Sequence, residues 1–409
     1  MRTVALPNLW PVPWLSLLAL TAGLAGAAPS ERAPSVKAQM EVAAIYFPGF
    51  HRDDHYDAWF GEGWNEWRLL EQAAPRFPGQ RFFRPAWGSF DEANVPWMER
   101  QIDLAADHGI TVFVFDWYWY SGVQILQRPL EQGFLAAHNR ERLKYALMWA
   151  NHDWRNYFPA PLKEDGTLWL PSRTSPDDFR RLVSHCIIKH FRQPNYWRID
   201  GRAYFGIFDV GGFLRQLGGP SQAAKVLQQA RTMATEAGLN GIHFGAFASE
   251  PSMLPALNEA GFDTVTAYNI CWSPQATLPA RPLDDYRDLA EHHVQVWKSM
   301  DTGVLPFCPI VTVGWDPTPR WVKDGPFPPP SARGYPYTPI VTNNTPELFG
   351  KLFRQAQARA VTSRLRPPAI FVNAWNEWTE GSALLPDRDY GTAYLEQIKS
   401  ALAAGKTAR

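Results

Sequence analysis

Apolar residues fall in short runs that recur along the chain. Val42–Phe47, Thr111–Trp117, Tyr145–Trp149, Ala203–Phe208, Ile242–Phe247, Thr264–Tyr268, Leu305–Val311 and Ala369–Asn373 are each rich in β-branched or aromatic residues. Several are apolar at successive positions and not only at alternate ones, the pattern of strands buried on both faces of a parallel sheet. Amphipathic stretches separate them, such as the one with Phe179, Leu182, Val183, Cys186 and Ile187 on one face. Asn94 and Gly109 bracket one helix, Ser175-Pro176 and Thr345-Pro346 open two others, and Tyr390–Ala403 supplies the last. Eight βα units in about 365 residues predict a (β/α)8 TIM barrel, a single domain over residues 41–405 with long βα loops. A doubly wound open sheet is the alternative, but no Gly-rich phosphate loop follows the first strand.

The segment before the first strand has another character. Arg2, the apolar stretch Trp14–Ala25 and the small residues Ala25-Gly26-Ala27 read as a secretory signal cut after Ala27. The apolar stretch falls short of the ~20 residues a spanning helix needs. Residues 28–40 read as a disordered lead-in, and the mature chain is expected to be secreted or periplasmic with no membrane attachment. The 40 Lys+Arg balance 40 Asp+Glu, which removes the electrostatic case for a nucleic-acid partner. Cys186, Cys271 and Cys308 have no zinc spacing and make no disulfide framework; one bridge plus a thiol, or three thiols, remain open.

The chemistry should lie after the strands, because βα loops at the carboxyl end of a barrel carry the reactive groups. There the sequence places His51, then Asp116-Trp117-Tyr118, then Trp149, Asn151, His152 and Asp153, followed in turn by Asp209 and Glu250. Tyr268, Asn269 and Trp272 follow the sixth strand, Trp315 and Asp316 the seventh, and Asn373, Trp375, Asn376, Glu377 and Glu380 the eighth. With 19 Trp and 14% aromatic residues in all, this clustering at one end points to flat platforms for sugar rings. Glu377 and Glu380 can reach one substrate from the same turn, and glycosidic cleavage needs a proton donor plus a second carboxylate. Close carboxylates also raise one another's proton affinity, which keeps one protonated near neutral pH. A second Trp-Asn-Glu-Trp at Trp64–Trp67 offers Glu66 as a hydroxyl-binding acid with Trp67 as a platform, or a packed loop. The Pro-rich segment from Asp316 to Pro339 is studded with Trp315, Trp321, Phe327, Tyr335 and Tyr337 and is expected to cover the barrel mouth. His51-x-x-x-His55 and His292-His293 lack further zinc ligands, and no nucleophile elbow or P-loop occurs. No metal or cofactor is expected.

Several of these segments resemble the WbsX-type family, which is related to glycoside hydrolase family 99. They are Ile45–His51 (with Tyr46), Gly63–Trp67, Asp116–Trp119, Trp149–Trp154, Gly314–Arg320 and Asn373–Gly381. The resemblance implies a metal-free (β/α)8 glycosidase that cleaves α-mannosidic bonds with retention. It implies that Glu377 deprotonates the sugar 2-hydroxyl, which attacks the anomeric carbon to give a 1,2-anhydro sugar. Glu380 then serves as acid and base. Two departures stand out: His152-Asp153 replaces an Asn-Glu-Asn-Trp-like run, and Thr379 replaces a His between the two glutamates. The expectation is a hydrolase acting on an α-linked, mannan-like polysaccharide or glycan. A glycosyltransferase and a non-catalytic glycan-binding barrel are the competing classes.

Overall fold

A computed structural model describes residues 40–156, 158–159, 166–329 and 335–407. The expected signal sequence and most of the expected lead-in lie outside these residues. Eight parallel strands form the framework: β1 (Glu41–Tyr46), β2 (Val112–Tyr120), β3 (Lys144–Trp149), β4 (Arg202–Ile207), β5 (Ile242–Phe247), β6 (Thr264–Thr266), β7 (Ile310–Thr312) and β8 (Ala369–Asn373). They pair in chain order from β1 to β6, and β8 lies between β1 and β7. Glu41 stands opposite Ala369 at the seam between the first and last strands. A parallel bridge from Val265 to Phe307 joins the remaining edges and closes the barrel.

The strand runs read from the sequence all form, and one is cut short for a covalent reason. Leu305–Val311 contains Pro306 and Pro309, which have no N–H to donate to a ladder. Regular pairing is therefore confined to β7, while Pro306 and Cys308 meet Val265 through isolated hydrogen bonds of 3.0 and 2.8 Å. β2 runs the other way, past Trp117 to Tyr120, because Val123–Ile125 folds back on it as an antiparallel hairpin.

Helices α1 (Val95–Asp107), α2 (Pro176–Cys186), α3 (Pro220–Glu236), α4 (Leu254–Glu259), α5 (Tyr286–Ser299), α6 (Pro346–Thr362) and α7 (Ala393–Thr407) surround the sheet. The second connection uses a π-helical turn at Pro129–Phe134 instead of a long helix. Side chains cap α2 and α6 where expected: Ser175 accepts from Asp178 N at 3.1 Å and Thr345 from Leu348 N at 3.4 Å. Asn94 precedes α1 without a side-chain cap bond. Helix stripes and both faces of the strands merge into one core, with Val42, Ile45, Val114, Leu147, Ile207 and Val372 inaccessible to solvent. Cys186 and Cys308 are buried thiols within it, and Cys271 is half-buried; all three are free. No described helix is long and apolar enough to cross a membrane.

Candidate active site

A cavity of about 590 Å³ opens at the carboxyl ends of the strands. Phe47 enters it from the end of β1, Asp116 and Tyr118 from β2, and Asn151, His152, Asp153 and Trp154 from the loop after β3. Phe208 and Asp209 follow β4, Tyr268, Asn269 and Cys271 follow β6, Trp315, Arg320 and Tyr335 come from the long β7 loop, and Glu377 and Glu380 follow β8. Strand alternation explains the choice on β2: Asp116 and Tyr118 face the cavity, so Trp117 and Trp119 face the helices.

Arg320 organises the acids. It is 3% exposed, and its Nη1 donates to Glu380 Oε1 and to Tyr335 Oη. Its Nη2 lies 3.3 Å from Glu377 Oε2 and 3.4 Å from Glu66 Oε2. Tyr335 donates to Glu380 Oε1 at 2.9 Å, and Thr379, between the two glutamates, donates to Glu66 Oε2 at 2.7 Å. On the other side, Tyr268 Oη stands 3.1 Å from both Glu377 Oε1 and Asp116 Oδ2. One phenolic proton cannot be given to two carboxylates, so this bridge is complete when one of the acids carries a proton.

Burial raises Glu377 well above the usual carboxylate range; Glu380 adds to the rise and Arg320 opposes it. Burial also raises Glu380, against the pull of Arg320 and Tyr335. Asp116 is driven well up by burial, with the Tyr268 bond working the other way. Arg320 is held firmly charged: burial alone would weaken it, but Glu66, Tyr335, Glu380 and Glu377 outweigh that. The turn that presents the glutamates is a 3₁₀ turn, Trp378–Glu380, ended by Gly381 at φ +66°. A Cβ at Gly381 would stand 2.7 Å from Asp316 N, so a glycine is required twice over.

A family model described as glycosyltransferase WbsX matches residues 42–398. The chain belongs to that family. This WbsX-family chain is 29% identical over 374 residues to the uncharacterized protein WxcX of Xanthomonas campestris pv. campestris (strain B100), covering 88% of this chain and 49% of WxcX. It thus spans about half the length of the curated relatives it matches. Its fold is similar to that of the GH99 endo-alpha-mannosidase from Bacteroides thetaiotaomicron, with TM-score 0.55, 15% identity, and coverage of 90% of this chain and 98% of that one. A glycoside hydrolase-like protein matches with TM-score 0.57, 15% identity, and coverage of 91% and 97%. At these identities the likeness is one of fold, and it agrees with the (β/α)8 architecture.

Of the residues singled out in the WbsX-family sequence, Asp116, Tyr118, Asn151, His152, Asp153, Asp209, Tyr268, Asn269, Trp315, Glu377 and Glu380 border the cavity. The others lie elsewhere. Tyr46 packs on Phe113 and Phe115, and Trp117 stacks on Trp119, both on the helix side of the sheet. Trp149 packs on Phe179 and Phe213, Trp375 donates to Gln101 on α1 at 2.9 Å, and Trp67 donates to Phe90 O at 2.7 Å. These buried tryptophans cannot serve as platforms. Trp272 is half-buried against Trp315, their ring centroids 6.2 Å apart, and does not line the cavity. Asn376 fastens β1 to β8 through Phe47 N and O and donates to buried Glu92 Oε1 at 2.6 Å. Asn373 accepts from Asn269 at 2.9 Å and Asp316 from Gln80 at 2.7 Å, so both brace the site from behind. Glu66 reaches it through Arg320. Sequence reasoning missed Arg320 as a centre of charge and Tyr335 as its companion. Both stood in segments already noted, the Gly314–Arg320 motif and the aromatic-studded Pro-rich stretch.

Proposed function

We propose that this chain is a retaining glycoside hydrolase acting on an α-linked, mannan-like polysaccharide or glycan through a 1,2-anhydro sugar. The observation that carries the reading is the pair Glu377 and Glu380, held on the two nitrogens of one buried guanidinium at the mouth of the barrel. Glu380 Oε1 is fastened by Arg320 and Tyr335, while its buried Oε2 has no hydrogen-bond partner. Oε2 is the oxygen that would carry the proton and give it to the leaving glycosidic oxygen. Glu377 is arranged for the opposite task. Burial and Glu380 push Glu377 toward its neutral form. Against that push stand Arg320 and the Tyr268 bridge: a proton on Asp116 is donated to Tyr268 Oη, whose own proton goes to Glu377, so Glu377 accepts as a carboxylate and can take the proton of a sugar 2-hydroxyl. That hydroxyl attacks the anomeric carbon as the leaving oxygen departs with the proton from Glu380. Water, deprotonated by Glu380, then attacks the anomeric carbon and breaks its bond to the 2-oxygen, to which Glu377 returns its proton, with overall retention. Phe47, Tyr118, Trp154, Phe208, Trp315 and Tyr335 offer ring faces, and Asn151, His152, Asp153 and Asn269 offer polar groups, to the rest of the glycan.

The test is reducing-end release from a panel of α-mannans and other polysaccharides, comparing wild type with Glu380→Gln. Release by wild type alone, with the first product of retained anomeric configuration by NMR, supports the proposal. Full activity in Glu380→Gln overturns the mechanism. The family description favours a second reading, sugar transfer, which predicts consumption of a sugar nucleotide in place of hydrolysis. Glycan binding without turnover by either route would assign a binding barrel.

A further inference from the structure

On the helix side of β2, away from the cavity, three side chains converge that the proposed chemistry does not use. One ligand atom from each of Glu131, His185 and His190 lies within 4.8 Å of the other two. Glu131 stands on the π-helical turn Pro129–Phe134, and His190 on a second π-helical turn, Ile187–Phe191, that continues α2. Turns of this kind recur at functional sites. Here the second one brings His190 back over His185, with ring centroids 5.9 Å apart. Trp117 and Trp119 wall the cluster off from the sheet, their ring centroids 6.0 and 5.1 Å from that of His185.

Two further observations point to a cation. His190 is 1% exposed, and its Nε2 has no hydrogen-bond partner; the buried Nε2 of His185 has none either. The other nitrogen of His190 is engaged, Nδ1 standing 3.3 Å from Tyr145 Oη. With the proton on Nδ1 that contact fixes the ring and leaves the Nε2 lone pair free, the arrangement by which metal-binding histidines are usually oriented.

We propose that Glu131, His185 and His190 bind a divalent transition-metal ion of the zinc type, clamping the β2–β3 connection to α2. Two imidazoles and a carboxylate suit a borderline ion such as Zn²⁺ or Co²⁺, with a fourth position open to water. Tetrahedral ligands at about 2.0–2.1 Å from zinc stand about 3.3 Å apart. The three groups therefore close by at most about 1.5 Å from their 4.8 Å limit, a movement open to the exposed Glu131 and half-buried His185. The ion touches no reacting atom. It stiffens the strand whose opposite face carries Asp116 and Tyr118 into the cavity.

Tag-free protein stripped with EDTA and dialysed free of metal provides the test. It is titrated with Zn²⁺ by calorimetry and with Co²⁺ by visible absorption, beside Glu131→Gln and His185→Gln. The expected result is one ion per chain with Kd of about 10 μM or tighter, a tetrahedral Co²⁺ spectrum, and binding weakened at least ~10-fold in both variants. Tm should rise with Zn²⁺ in the wild type and much less in the variants. Circular dichroism checks folding, and if His185→Gln fails to fold, Glu131→Gln decides. Absence of saturable binding up to about 1 mM Zn²⁺, or binding undiminished in a folded variant, overturns the proposal.

Discussion

Replacing Arg320 with Met removes the buried cation that faces Glu66, Glu377 and Glu380, which are 0%, 3% and 5% exposed. Breaking a buried ion pair from one side costs about 3–5 kcal/mol, because the abandoned charge stays buried. Three carboxylates share this cation, so the upper end applies. Unfolding entropy near 2.1 cal/mol/K per residue, over a unit of about 370 residues, gives roughly 0.8 kcal/mol per degree. A 5 kcal/mol loss then lowers Tm by about 6 °C at pH 7, readable by scanning calorimetry. The loss should also depend on pH. Arg320 now restrains the upward shifts of Glu377 and Glu380, and without it both rise further. A carboxyl whose folded affinity exceeds its unfolded one stabilises below the unfolded value, about 4.3, and that contribution is lost as pH rises through the folded value. The deficit of Arg320→Met should therefore be smallest and constant in acid, and widen only as pH rises through the raised folded values that Glu377 and Glu380 hold in the wild type. A Tm within 1 °C of wild type at pH 7, or a deficit that grows toward acid, would refute this account of the cluster.

Glu377→Gln and Glu380→Gln should each lower kcat by about 10²–10⁴ with glycan affinity retained by calorimetry; loss of affinity in place of rate would assign both to binding. Gly381→Ala should destabilise the fold by about 1–3 kcal/mol in urea and depress activity, since its Cβ strikes Asp316 and disturbs the 2.6 Å bond from Asp316 N to Glu380 O. An alanine variant as stable as wild type in urea would overturn that expectation. Glu92 is pushed up to about 8 by burial, with bonds from Asn376 and Phe50 N pulling back. Its contribution is present below about pH 4.3 and lost as pH rises through 8, so wild type should weaken relative to Glu92→Gln across that window by a few kcal/mol, at about 1.4 per unit. A pH-independent difference between the two proteins would contradict it.

The fold was legible because buried parallel strands announce themselves by unbroken apolar runs, and all eight were visible from Val42 to Asn373. That Glu377 and Glu380 meet in one cavity was legible too, because they share one turn. What the sequence could not show was which way each aromatic points. Trp117 and Tyr118 are neighbours at the end of β2, yet one packs under the helices and the other borders the cavity. Trp149 and Trp375 follow strands as a platform would, but close packing claims them. Arg320 was opaque for another reason: a lone arginine among prolines looks solvated until the loop folds it onto three acids from distant segments. Asn376 and Glu92 escaped likewise, since their partnership spans 284 positions and is set only by the pairing of β1 with β8.

The seam between the first and last strands has a consequence for when chemistry becomes possible. Glu66 follows β1, Arg320 follows β7, and Glu377 and Glu380 follow β8, so the cluster exists only once β8 has docked beside β1. Before that step the glutamates sit in water, without the guanidinium and without the Tyr268–Asp116 bridge, as ordinary carboxylates. On the proposed function, an incompletely wound chain would turn over no glycan. Competence, on that reading, arrives with ring closure, so glycan turnover would double as a report that the whole barrel is complete.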